Sequence, residues 1–60
     1  MVMTDNQIFD RAVILHEEGK LEEAANLYHK ILRNYPNHAA ANHNLGAAMH
    51  IMGKLNEAEE

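Results

Sequence analysis

The phrase Gly19-Lys20-Leu21-Glu22-Glu23-Ala24 returns as Gly53-Lys54-Leu55-Asn56-Glu57-Ala58, and five of the six positions are identical. The offset is 53 − 19 = 34 residues, and His16 and His50 match in the same register. A fixed period of this size is the mark of helical hairpins that stack side by side, each unit covering an apolar flank that its neighbour cannot bury alone. Arrays of this kind bind other proteins far more often than they catalyse. With 60 residues the chain holds fewer than two units, so the expectation is a fragment of a longer protein or a piece that depends on assembly.

Length and composition narrow the possibilities further. One domain at most is expected. A chain this short hides only about 60% of the surface its unfolded form exposes, and below roughly 70–80 residues a single core supplies about 3–5 kcal/mol. The usual remedies are disulfides, metal or self-association. The absence of cysteine excludes disulfides and thiolate zinc sites and fits a reducing compartment. The net charge is −4, and the five cations (Arg11, Lys20, Lys30, Arg33, Lys54) are scattered. Nucleic acid is therefore not expected as a partner, since its binding needs a clustered basic face. No apolar run approaches a membrane span, and Met1-Val2-Met3-Thr4-Asp5 has neither the basic nor the apolar region of a signal peptide. The expectation is a soluble cytoplasmic protein with no membrane partner.

Periodicity predicts three helices and the start of a fourth. Thr4-Asp5-Asn6-Gln7 has capping-box spacing, and Ile8, Ala12 and Leu15 then recur at helical intervals until Gly19, a good left-handed stop. The second helix runs from about Leu21 to Asn34, with an apolar stripe of Leu21, Ala24, Tyr28, Ile31 and Leu32. Pro36 disfavours helical geometry at Tyr35, and Asn37 is read as the N-cap of a third helix over roughly His38 to Met52. Gly53 is read as a second stop, with a fourth helix opening at Leu55 and running to Glu60. The expected class is all-α: antiparallel helical hairpins, one module over residues 1–60, with a first repeat at about 5–38 and a partial one at about 39–60.

Asn44-Leu45-Gly46 with Met49, and Ala24, Tyr28 and Pro36 at their separations, resemble the two halves of a tetratricopeptide repeat, a unit of two antiparallel helices in an α-solenoid. In the first unit the corresponding helix-A positions are Ile8, Arg11, Ala12 and Leu15; Arg11, Asn42 and Ile31 depart from the usual residue types. The resemblance implies a protein-interaction or scaffold module whose helix-A residues line a concave groove for a protein or peptide. By register those residues are Asn6, Phe9, Val13, His16 and Glu17, then Ala40, His43, Asn44, Ala47, His50 and Ile51. One subfamily grips a peptide's terminal carboxylate with Lys and Asn in one unit and Asn in the next. Of that set only Asn44 matches, while Phe9 and Val13 occupy the other positions. Phe9, Val13 and Ile51 instead suggest an apolar partner surface, or packing against a chain terminus or a second copy.

Catalytic chemistry finds no foothold, and no enzymatic activity or cofactor is expected. There is no cysteine or serine, Thr4 and two tyrosines supply the only hydroxyls, and no phosphate-cradling glycine loop exists. Glu17, Glu18, Glu22 and Glu23 crowd the Gly19 turn, where they read as a solvated face that complements a helix dipole. His43 and His50 share a helix face but stand about 10 Å apart at roughly 1.5 Å per residue, too far to chelate one ion through bonds of about 2 Å; no metal site is expected.

Self-association is expected instead. Leu45, Met49 and Met52 on the third helix should stay partly uncovered, and an exposed apolar patch marks an interface. A homo-oligomer could form by stacking these edges or by domain exchange hinged at Gly19-Lys20 or Tyr35-Pro36-Asn37. Two rival functions are a substrate-recruiting N-terminal segment of a larger bacterial enzyme such as a transferase, and a histidine-based metal binder.

Overall fold

The computed structural model describes residues 3–59, with side chains as far as Lys54. Helix α1 spans Asp5–Glu17. Its start is the expected capping box: Thr4 Oγ1 accepts from the Gln7 backbone N–H at 3.2 Å, and Gln7 Oε1 accepts from the Thr4 N–H at 2.8 Å. Its end is a Schellman motif. Gly19 takes φ 83°, its N–H bonds the His16 carbonyl at 3.1 Å, and the Lys20 N–H reaches back to the Leu15 carbonyl at 2.8 Å.

Helix α2 spans Leu21–Asn34, with Glu22 and Glu23 in the first turn and Arg33 in the last, matching charge to the helix dipole at both ends. Tyr35, held out of helical geometry before Pro36, ends it. A tight turn closed by the His38 N–H on the Tyr35 carbonyl, 3.0 Å, leads into α3. The cap there is His38 rather than the expected Asn37. The His38 carbonyl accepts the Asn42 N–H at 3.0 Å, and its Nδ1 accepts the Ala41 N–H at 3.0 Å. With Pro36 and Asn37 both used in the turn, the next residue is the first able to cap.

Helix α3 runs unbroken from Ala39 to Glu59. Gly53 is therefore not a stop, and the expected fourth helix is the continuation of the third; Glu60 lies outside the described residues. At Gly19 the chain turns and α2 packs back on α1; at Gly53 the helix continues, a conformation glycine adopts at the modest cost of about 1 kcal/mol relative to alanine.

Helix α2 is the middle element, packed extensively on both α1 and α3, while α1 and α3 touch only lightly. The core holds Ile8, Ala12 and Leu15 from α1, Leu21, Ala24, Ala25, Tyr28 and Ile31 from α2, and Ala41, Leu45 and Ala48 from α3. Tyr28 and Ile31 are its largest fully buried side chains. The two outer helices do not use equivalent faces. The 34-residue equivalents of Ile8, Ala12 and Leu15 are Asn42, Gly46 and Met49, all exposed. The buried α3 residues Ala41, Leu45 and Ala48 correspond to Gln7, Arg11 and Ile14, exposed on α1.

The two copies of the repeated glycine should respond oppositely to alanine. Gly53→Ala is expected to stabilise the chain by up to about 1 kcal/mol, because the residue is helical and an added Cβ meets nothing within 4 Å. Gly19→Ala should destabilise by about 1–2 kcal/mol, the strain of an L residue in left-handed backbone. Thermal unfolding followed by circular dichroism measures both; a loss of stability in Gly53→Ala would restore the turn at that position.

Candidate functional site

Tyr28 organises the surface that the sequence marks for binding. Its side chain is fully buried, which places a phenol between all three helices and requires its hydroxyl to find partners. On α1, His16 meets the ring edge-on at 6.3 Å between centroids, and its Nδ1 lies 3.5 Å from the hydroxyl. On α3, Asn44 is near enough to act on the same hydroxyl. Phe9 tilts against Tyr28 at 6.0 Å and against His38 at 5.4 Å. Burial raises the Tyr28 phenol pKa above its ordinary 10.0; the Asn44 hydrogen bond works against that rise, and the nearby charge of Glu17 adds to it.

The groove residues expected from register therefore divide. Phe9, His16 and Asn44 are half-buried and tied to Tyr28, so they form the floor that holds the helices together. Phe9 packs on Tyr28 and His38 within its own chain. Val13 and Ala47, equivalent positions on α1 and α3, are half-buried and take part in none of these ring contacts. Asn6, Glu17, Ala40, His43, His50 and Ile51 are exposed. Asn6 also lines an open depression of about 350 Å³ with Thr4, Asp5, Tyr35 and His38. There the hydrogen bond and charge of Asp5 raise the exposed Tyr35 phenol.

The expected self-association edge is narrower than the sequence suggested. Leu45 is buried, 8% exposed, in the core, because it faces back onto α2. Met52 is half-buried against that core. Of the three, Met49 is the exposed one, at 54%.

Sequence reading missed two roles. Tyr28 was legible as core, but not as the partner of His16 and Asn44, because that pairing joins three helices. His38 was overlooked as a cap and as a stacking partner of Phe9; its position directly before the alanine run was the available signal. Among the described residues, no three histidine, aspartate or glutamate side chains converge to hold a metal ion. No helix among them is long and apolar enough to cross a membrane.

The family model of the tetratricopeptide repeat matches residues 15–60. No curated protein and no solved structure matches the chain.

Two outcomes follow from the Tyr28 hub. Phe9→Ser should lower stability by about 2 kcal/mol, less than the roughly 3–5 kcal/mol for truncating a fully packed aromatic because Phe9 is half-buried, as read from chemical unfolding; a change within error would free Phe9 from the core. Both phenols sit above their ordinary value in the folded chain. Stability should therefore be level below pH 10 and fall as pH rises beyond it, because the unfolded state releases the protons first. Ultraviolet titration of tyrosine in native and urea-unfolded chain checks this; coincident curves would remove the shift.

Proposed function

We propose that this chain, which belongs to the tetratricopeptide repeat family, is a binding rather than a catalytic module. In this reading it takes a protein or peptide segment along the face where α1 and α3 lie beside each other. Repeats of this family are protein-interaction modules in general, and the geometry supports a particular strip. Val13 and Ala47 are half-buried at equivalent positions on the two helices, and Ile51 is 40% exposed. Together they offer apolar contact that the core does not consume.

The single observation that carries the reading is this division of labour. Phe9, His16 and Asn44 are engaged by Tyr28, and the apolar strip beside them is left without a described intramolecular role. Exposed polar neighbours, Asn6, Glu17 and His43, supply a rim of hydrogen-bonding groups around it, the usual anatomy of a recognition surface. Because the floor is fixed by the core, a ligand would meet a preformed surface and lose less free energy to ordering it.

The test separates binding from folding. Peptides selected from a displayed random library on the native chain should bind it, and Val13→Glu combined with Ile51→Glu should weaken them about tenfold or more, the scale of losing central apolar contacts. Helicity by circular dichroism should stay unchanged, since neither residue belongs to the core. Equal affinity in the double variant would sink the assignment.

A further inference from the structure

We propose that the segment taken by the α1–α3 groove is basic along one edge, with two cationic side chains spaced to meet Asp10 and Glu17 and apolar side chains beside them for Val13, Ala47 and Ile51. This rests on the groove reading above and adds to it the chemical class of the partner.

Asn6, Asp10, Val13 and Glu17 recur on α1 at intervals of four, three and four, which sets them in one stripe along the helix. Adding 34 to each number gives Ala40, Asn44, Ala47 and Ile51 on α3. In both stripes the third residue is half-buried and the first and last are exposed. Val13, Ala47 and Ile51 therefore belong to a pair of matched ridges, and the ridges differ in charge. The α1 ridge carries two exposed carboxylates. The α3 ridge carries none: Asn44 stands where α1 has Asp10, and Ile51 where it has Glu17. Asp10 and Glu17 are 17 − 10 = 7 residues apart, about 10 Å along α1 at roughly 1.5 Å per residue. The cations of the partner need that separation.

The chain's own cations do not answer these carboxylates. Among the described residues the one ion pair joins Lys20 to Glu18, at 3.9 Å. Arg11 lies on the face of α1 that corresponds to buried Leu45, Lys20 caps the start of α2, and Lys30 and Arg33 are exposed on α2. Lys54 is the one cation on α3, about a turn beyond Ile51 and so past the end of the ridge. Glu17 is also poorly placed for stability. It is the last residue of α1, where the helix dipole disfavours negative charge, and Glu18 follows it. Its charge is felt at the Tyr28 hydroxyl, so it bears on the groove floor. An incoming cation would relieve that local cost. Complementary charge of this kind sets partner choice and register more than raw affinity, while the apolar contacts supply the rest.

The probes are the random displayed peptides recovered on the native chain. Lysine and arginine should outnumber aspartate and glutamate in the recovered sequences. The tightest of them, blocked at both ends and titrated by fluorescence anisotropy at fixed salt, should bind the Asp10→Asn, Glu17→Gln chain about fivefold more weakly, the scale of two exposed ion pairs. Glu22→Gln with Glu23→Gln makes the same change in net charge away from the groove and should leave affinity as it is in the native chain. Glutamine in place of the peptide's cations should remove the difference between the native and the Asp10→Asn, Glu17→Gln chains. Circular dichroism should show native helicity in both variants, since all four residues are exposed. Recovered peptides without a basic excess, or equal weakening in the two charge variants, would overturn the basic class and leave the apolar groove in place. Recovery of no peptide at all would overturn the groove reading and this one with it.

Discussion

The burial of one phenol holds this structure together. Tyr28 draws on both outer helices, ringed by Phe9 and His16 from α1 and with Asn44 of α3 acting on its hydroxyl. The outer helices scarcely touch each other, so α2 transmits whatever fixes their relative placement. Small residues make that possible: Ala12, Ala24, Ala41 and Ala48 are fully buried, and their lack of bulk lets α1 and α3 close on a central helix that carries the large side chains. A core of this size has little to spare, and burying the aromatic with its hydroxyl satisfied is how the chain gains area without leaving a polar group unpaired.

The repeat is legible in the sequence because each helix pair needs the same small and large residues in the same order. Helix α1, its capping box, the left-handed Gly19 and the full extent of α2 all follow from local rules that nothing in the tertiary structure contradicts. What was not legible is which face of a helix finds a neighbour. A helix A in such an array has two packing faces displaced by one residue, and sequence periodicity alone does not say which is covered. On α1 the covered face is Ile8, Ala12 and Leu15; on α3 it is Ala41, Leu45 and Ala48. Register accordingly places Leu45 on an open edge, whereas it lies in the core. Arg11, a departure from the family pattern, is its equivalent on α1 and sits in solvent, where its charge costs nothing.

The candidate site was legible to a similar degree. Register identified the helix-A residues that share a face, but treated them as one surface. The structure separates a floor committed to Tyr28 from a strip that is not. That separation arises from rings meeting across twelve or more residues of sequence, as with His16 and Tyr28, and no local pattern encodes it.

The two copies of the glycine phrase bring the same point to its sharpest form. Five residues in six agree, so local propensity is nearly the same in both, yet one copy turns and the other continues as helix. Glycine permits both outcomes at similar free energy, which makes the phrase a permissive joint and not an instruction. At Gly19 the balance is tipped by the apolar face of α2, whose Leu21, Ala24 and Ala25 are buried on folding back. At Gly53 the hydrogen bonds of an uninterrupted helix prevail. The same phrase thus serves as a turn where an apolar helix folds back on its neighbour and as helix interior where the described residues run on.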